Sequence, residues 1–395
     1  MTSPQSPDTS PQRKSAPSGS SKRRKVIILI VSCVALLALL SYVCRERDPE
    51  MGMLLGKLGG KASDAIGIND AGMVVGHWRG EDGSQRAFLW TQETGMQDIG
   101  TLGRIFSGSV TVTGINNTGM IVGNSYTNNG EAHIFLWTQE AGMQDIDTLG
   151  SDYSDATAIN DAGMVVGSFI TKDDEKHAFW WTQESGMQSF GIPDTEHIRP
   201  QVINKAGVAA GALSTKQGKR RSFIWTRESG GQVIDAPGAN SSYVCGINDA
   251  GKVVGSKSDI PDGNENAFIW DQEGGMRTLG TLGGDYSHAI AINDAGMVVG
   301  FSATKSGKDR AFTWTQEGGM QNLGALGYDH SRAVAINESG QIVGYVWNDP
   351  PFWIRTLYWA HQKINLPSKY LPDRRGVHEN SEAALWTMPV EKKSE

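Results

Sequence analysis

The chain has 395 residues, a formal charge of −7, 49 Gly, 12 Trp and only 3 Cys. Gly makes up about an eighth of it, against ~7% in ordinary domains, and with only 14 Pro this is not a collagen pattern. A hydrophobic share of 38% supports a packed core, and three Cys exclude both a disulfide scaffold and a Cys-based zinc framework.

Residues 1–25 are rich in Ser, Pro and Gln. Arg13, Lys14, Lys22, Arg23, Arg24 and Lys25 stand against Asp8 alone, a net of +5 that leaves −12 for the rest of the chain. Such a segment buries too little apolar surface to order itself. Val26–Cys44 follows, 19 uncharged and largely apolar residues. At 1.5 Å per residue it nearly spans a hydrocarbon layer of ~30 Å. Basic residues precede it, whereas Arg45 and Arg47 are balanced by Glu46 and Asp48, which keeps the N-terminus cytoplasmic and exports the remainder. No Ala-x-Ala site follows the run, so an uncleaved transmembrane anchor is expected. Secretion after signal cleavage is the alternative. Cys33 and Cys44 belong to the anchor, leaving Cys245 as the exported thiol. Residues 45–52 form a linker.

Beyond the linker the chain repeats itself. Asn recurs after Ile at 69, 116, 160, 204, 248, 293 and 337, at intervals of 44 to 47. Trp recurs at 90, 137, 181, 225, 270, 314 and 359, at intervals of 44 to 47. INDAGMVVG stands verbatim at Ile68–Gly76, Ile159–Gly167 and Ile292–Gly300.

The first copy reads as four strands. Strand a covers about Ala65–Ile68, and Asn69-Asp70-Ala71-Gly72 turns the chain into strand b, Met73–Gly76 and a little beyond. A loop of about ten residues leads to strand c, Ala87–Thr91, where Phe88 and Trp90 share a face. Gln92–Gly95 then turns into strand d, Met96–Ile99. Four short antiparallel strands in ~44 residues, seven times over, predict an all-β fold, a seven-bladed β-propeller over residues 53–366, preceded by one N-terminal transmembrane helix. The Trp row then packs between neighbouring blades. Leu55–Gly60 matches the end of a strand d, Leu279–Gly284, with no strands a to c before it, so it can complete the last blade. Gln362–Leu366 is the other candidate for that place. Residues 367–395, with Ala383–Thr387 resembling a strand c, read as a tail with the remnant of a truncated eighth unit.

The pattern A-x-x-I-N-D-x-G-x-V-V-G, then A-F-x-W, then G-M-x-x-L-G-T-L-G resembles the HAF-repeat family of probable extracellular repeat proteins. His177-Ala178-Phe179 carries the tripeptide literally, and Ala87-Phe88, Ala267-Phe268 and Ala311-Phe312 keep its second half. The resemblance implies export and a β-rich repeat fold, with no established activity and no catalytic residues. The fourth unit departs most, with Ile192–His197 in place of Gly-Thr-Leu-Gly and Lys205 after its Asn, so an irregular blade is expected there.

In a propeller the a–b and c–d turns lie on one face, the b–c and d–a loops on the other. Here the first set is nearly uniform and the second differs in every copy. The b–c loops are mixed in charge at Lys172–Lys176, basic at Lys216–Arg221, acidic at Asp259–Glu265 and aromatic at Trp347–Arg355. Rigid scaffolds carry recognition on variable loops, so that face is the expected binding surface. Its candidate residues are Trp347, Phe352, Trp353 and Arg355, with Tyr153, Tyr286, His288, Tyr328, His330 and Arg332 from the d–a segments. The aromatic loop is the foremost patch, since exposed aromatics beside Arg suit interfaces and sugar stacking. His288 and His330 read as equivalent places in neighbouring blades.

The Asn-Asp-x-Gly turns lack the alternating acids and distal Glu of a calcium loop, and the His residues lack metal-ligand spacing. No G-x-S-x-G, H-E-x-x-H, P-loop or dinucleotide fingerprint is present, and the acidic exported part argues against nucleic acid. The expectation is a membrane-anchored, exported, non-catalytic binding module, with no cofactor, for a protein or cell-surface glycan. The alternatives are a propeller enzyme acting on extracellular glycan, a hydrolase or lyase, and a purely structural surface protein.

Overall fold

The computed structural model describes residues 52–103, 110–146, 153–171, 173, 175–234, 239–259, 264–349 and 381–387. Among them every regular element is a strand, 28 in all, in seven antiparallel sheets of four. No helix among the described residues is long and apolar enough to cross a membrane; Val26–Cys44, the expected anchor, lies outside them.

Each sheet is one blade, with its strands in the order a-b-c-d from the axis outward. In blade 1 these are Ala62–Ile68, Val74–Arg79, Gln85–Thr91 and Gly95–Asp98. Strands a to c extend further than expected toward the variable face, so the b–c connection is a tight hairpin, Gly80–Ser84, and not a ten-residue loop. Blades 2 to 6 repeat the arrangement over Val110–Asp145, Tyr153–Phe190, Thr195–Ile234, Ser241–Thr278 and Gly283–Asn322. The irregularity expected in the fourth unit is local: blade 4 keeps the same four-stranded order, with Pro200 inside strand a opposite Gly211, but its strand a carries an additional register shift between Thr195 and His197. Strands a of successive blades are neighbours around the whole ring, blade 7 beside blade 1 included.

Blade 7 departs from the expected reading. Strands a and b are His330–Ile336 and Gln341–Trp347, but strand c is Glu382–Thr387 and strand d is Gly52–Gly56. The N-terminal strand closes the ring, as one of the two candidates foresaw. The supposed remnant of an eighth unit is strand c of the seventh. Ile342 pairs with Trp386, where Val74 pairs with Trp90 and Val298 with Trp314. Trp386 therefore holds the blade position assigned to Trp359, which lies outside the described residues, as does Gln362–Leu366.

The core lies between blades. Phe179 and Trp181 of blade 3 pack with Val122, Ile134 and Leu136 of blade 2, and equivalent clusters recur around the ring. Each strand b carries a Gly beside a register shift in strand a. A Cβ on Gly167 would stand 2.1 Å from the Asp155 carbonyl and 2.7 Å from the Phe179 ring, and one on Gly344 1.9 Å from the Arg332 carbonyl. Only Gly admits that approach, which explains the invariant third residue of Val-Val-Gly.

The Asn-Asp pairs do more than turn the chain. The Oδ1 of Asn69 accepts the Met73 N–H at 2.9 Å, which is turn chemistry. Its Nδ2 donates to the carbonyl of Asn116, in the next blade, at 3.1 Å. All seven buried Asn side chains repeat this, and Asn337 closes the circle by donating to Asn69 O at 3.0 Å. A second circle runs outside it. The peptide N–H of Asp249 donates to Asp294, that of Asp294 to Glu338, and that of Glu338 to Asp70 at 2.9 Å. The peptide N–H of Lys205 donates to Asp249 at 3.0 Å, but its side chain offers no acceptor in return, and its Nζ lies 3.9 Å from Asp161 and 3.3 Å from Asp249. These groups line a cavity of about 170 Å³ on the axis at the uniform face. They are occupied in joining blades.

His77, on strand b of blade 1, is half-buried and its Nε2 accepts the Val112 N–H at 2.8 Å. Burial pushes the imidazole down to about 4. The folded state thus disfavours the proton, so the contribution of His77 is complete above the unfolded value near 6.5 and is lost as the pH falls toward 4. Between pH 7 and 4 this group alone should remove about 3 kcal/mol of unfolding free energy. A His77→Gln variant, followed by urea unfolding across that range, should show a flatter acid limb than the parent.

Candidate functional site

The seven units superpose on their Asn residues, which fixes what shares a place. The fifth residue before each Asn is Asp64, Thr111, Asp155, Arg199, Tyr243, His288 and Arg332. Its neighbours in strand a are chiefly Ser and Ala, so one variable side chain per blade stands on the innermost strand. The preceding blade supplies some of its partners: Arg332 sits over the Phe301 ring at 3.9 Å, and Asp155 accepts from Asn124 at 2.5 Å. The structural equivalent of His288 is therefore Arg332, and that of His330 is Tyr286. The expected equivalence of His288 and His330 is off by two residues.

Three blades build a cleft of about 510 Å³ on the variable face. It is lined by Asn264 and Glu265 at the start of strand c of blade 5, Tyr286, His288 and Phe301 of blade 6, and Arg332 of blade 7. Beneath it lies Asp309, 4% exposed, which accepts from the Tyr286 hydroxyl and from Arg332 Nε at 2.8 Å. Burial and the Asp309 carboxylate push the Tyr286 phenol up to about 12. His288 stacks on Phe301 at 4.6 Å, and its Nδ1 lies 3.3 Å from Glu265 Oε2, which also accepts from Ser256 Oγ at 2.6 Å. Burial holds the imidazole below its ordinary range, against the pull of Glu265, and so favours its uncharged form. The cleft thus combines a fixed guanidinium, a carboxylate–imidazole pair, an amide and a phenol.

Tyr286, His288 and Arg332 are brought together as part of one site. Tyr153 is exposed at the start of strand a of blade 3 and does not line the cleft. Tyr328 donates to Glu382 at 3.0 Å, and Lys57 reaches the same carboxylate at 3.5 Å, so these groups tie blade 7 together. His330 accepts the Asp309 N–H at 3.1 Å and holds Asp349 at 3.1 Å. Trp347 corrects the expectation of an exposed aromatic patch. It ends strand b opposite His330, stacks on that ring at 4.8 Å and is 5% exposed. Phe352, Trp353 and Arg355 lie outside the described residues. Asn264 and Glu265 were read only as part of the acidic b–c loop Asp259–Glu265, and Asp309, the first residue of strand c of blade 6, was missed; Phe301 was legible as an aromatic replacing the residue after the strand-b Gly.

Replacing Asp309 by Asn should cost about 2 kcal/mol, because Arg332 then keeps its place without its carboxylate. Urea unfolding of that variant beside the parent measures it.

No protein-family model matches the chain, and no curated protein matches it. Similar solved structures include a puromycin-hydrolysing peptidase of Mycobacterium tuberculosis, with a TM-score of 0.49 and 8% identity over 73% of this chain and 49% of that one. Pyrococcus horikoshii acylaminoacyl peptidase has a TM-score of 0.48 and 10% identity over 73% and 50%. The β-propeller domain of the Trilobed protease from Pyrococcus furiosus has a TM-score of 0.47 and 14% identity over 66% and 83%. The chain spans about half the length of the first two. These neighbours correct one expectation. The sequence was read as that of no enzyme, whereas folds similar to this one occur in peptidases, so the absence of catalysis does not stand as a property of the chain. At 8–14% identity the likeness is one of fold.

Proposed function

We propose that this protein is an exported, membrane-anchored recognition propeller that takes a cell-surface glycan in the cleft of blades 5 to 7. One observation carries the reading. Variable residues of three successive blades converge on one cleft of about 510 Å³, within the range of small-ligand sites. A protein partner would instead need a contact of roughly 800 Å² per side. Glu265, Asn264, His288 and Arg332 offer alternating acceptors and donors, which suits vicinal hydroxyls. The resemblance to HAF-repeat proteins and the apolar run Val26–Cys44 support export.

A glycan array probed with the protein, followed by titration of the hits, tests the reading. His288→Ala and Glu265→Gln should each weaken binding at least tenfold. Undiminished binding in both variants would overturn it. The Glu265–His288 pair favours a second reading, because a carboxylate-oriented imidazole whose burial favours the uncharged form is also the arrangement of a general base. Turnover of a bound glycan that disappears in His288→Asn would select that reading.

A further inference from the structure

The b–c hairpins of blades 4 and 6 share a sequence pattern, Thr215-Lys216-Gln217-Gly218-Lys219 and Thr304-Lys305-Ser306-Gly307-Lys308. They also share a backbone. Thr215 N–H donates to Lys219 O at 2.9 Å and Gly218 N–H to Thr215 O at 2.8 Å; Thr304 and Gly307 make the same bonds at 3.0 and 2.9 Å. An Arg fixes each hairpin to the next blade in the same manner. Arg221 Nη1 donates to the carbonyls of Arg220 and Asn240, at 3.1 and 3.0 Å, and Arg310 Nη1 to those of Asp309 and Asp329. The two junctions thus correspond residue for residue, with Arg220 in the place of Asp309 and Asn240 in that of Asp329.

Their charges differ. Between blades 6 and 7 Lys308 and Arg332 each have a carboxylate. Lys308 Nζ lies 2.6 Å from Asp329 and 3.0 Å from Asp349, and Arg332 holds Asp309. Between blades 4 and 5 those acids are gone. Among the described residues no carboxylate is within ion-pair distance of Lys219 or Arg220. Arg220 donates to the Tyr243 hydroxyl and lies 5.5 Å from that ring, contacts that neutralise nothing. Asp194 and Asp259, of the same two blades, are held by Lys216 at 3.3 Å and Lys257 at 2.6 Å. Lys216 to Arg220 are all exposed.

We propose that the junction of blades 4 and 5 is a binding site for a carboxylate-bearing acidic polysaccharide, one of whose carboxylates pairs with Lys219 as Asp329 pairs with Lys308 between blades 6 and 7. At its balanced copy the frame holds a carboxylate against Lys308, the equivalent of Lys219, and the Arg220 guanidinium matches a second carboxylate as a planar pair. A single exposed ion pair is weak. A polymer with an acid on each sugar engages Lys219 and Arg220 together and gains accordingly. The site is separate from the cleft of blades 5 to 7.

Titration of the full chain with oligogalacturonate, beside neutral dextran and polyphosphate, tests the proposal. Oligogalacturonate should bind, dextran should not, and affinity should fall as salt rises. The double variant Arg220→Asp and Asn240→Asp restores the two acids that stand at these positions, as Asp309 and Asp329, in the balanced junction. It should lose at least tenfold in affinity with an unchanged melting temperature. Lys219→Gln, an exposed change, should lose severalfold and serves if the double variant does not fold. Lys305→Gln and His288→Ala should leave oligogalacturonate binding unchanged, which separates this site from the cleft. Undiminished binding in the double variant and in Lys219→Gln would overturn the proposal, as would tighter binding of polyphosphate than of oligogalacturonate at equal salt.

Discussion

Deleting Gly52–Gly56 from the otherwise intact chain should lower the unfolding free energy by about 5 kcal/mol, as the sum of one buried Leu and a few ladder bonds. The five residues are strand d of blade 7, paired with Glu382–Thr387 from Gly52 opposite Trp386 to Gly56 opposite Ala383. Leu55 is buried against Leu385 and the strands of blade 1, and its loss bares that cluster. Ser63 Oγ donates to Gly56 O at 2.6 Å while accepting the Ala383 N–H at 3.1 Å, so one hydroxyl joins both termini to blade 1. The effect exceeds that of losing an ordinary outer strand because the ring is closed here between distant parts of the chain. Urea unfolding of the deletion variant measures it. An unchanged midpoint would assign closure to another segment, and Gln362–Leu366 is the one the sequence offers.

The same blade shows where sequence and structure part. The Asn and Trp rows were legible because a repeat places equal side chains at equal depth, and seven equal depths make a ring. The ring also accounts for residues whose purpose the row alone does not disclose. Asn69 was readable as a turn former, but its donation to Asn116 needs the next blade in place. Strand c of blade 7 was misplaced because spacing pointed to Trp359, whereas pairing and burial select Trp386, beyond a b–c connection far longer than any other. The cleft was half legible. Tyr286, His288 and Arg332 stand at positions that vary from unit to unit, which the repeat itself displays. Glu265 and Asp309 lie at the ends of hairpins, and only the curvature of three blades brings them under those side chains. Trp347 failed as an exposed aromatic for a related reason: the strand was expected to stop short of it, and it runs on.

Blade 7 depends on Trp386 more than any other blade depends on its Trp. In six blades the residue opposite the strand-b Gly is a fully buried Phe, as Phe88 opposite Gly76; in blade 7 it is Ala384 opposite Gly344. The missing ring volume falls to Trp386, which is 0% exposed where Trp90, Trp181 and Trp225 keep 6–7%. It packs with Val299, Ala311 and Leu323 of blade 6, so it holds the closing blade to its neighbour. Its Nε1 has no hydrogen-bond partner among the described residues, which leaves packing as the whole of its contribution. Trp386→Ala should therefore cost about 4 kcal/mol, the usual range for a buried aromatic replaced by Ala in a site that cannot collapse. Trp386→Phe should recover most of it, since the lost indole N–H bonds to nothing. Trp359→Ala should leave the unfolding midpoint unchanged. Thermal or urea unfolding of the three variants decides the matter, and a larger loss from Trp359→Ala than from Trp386→Ala would return the seventh Trp to the place its spacing suggested.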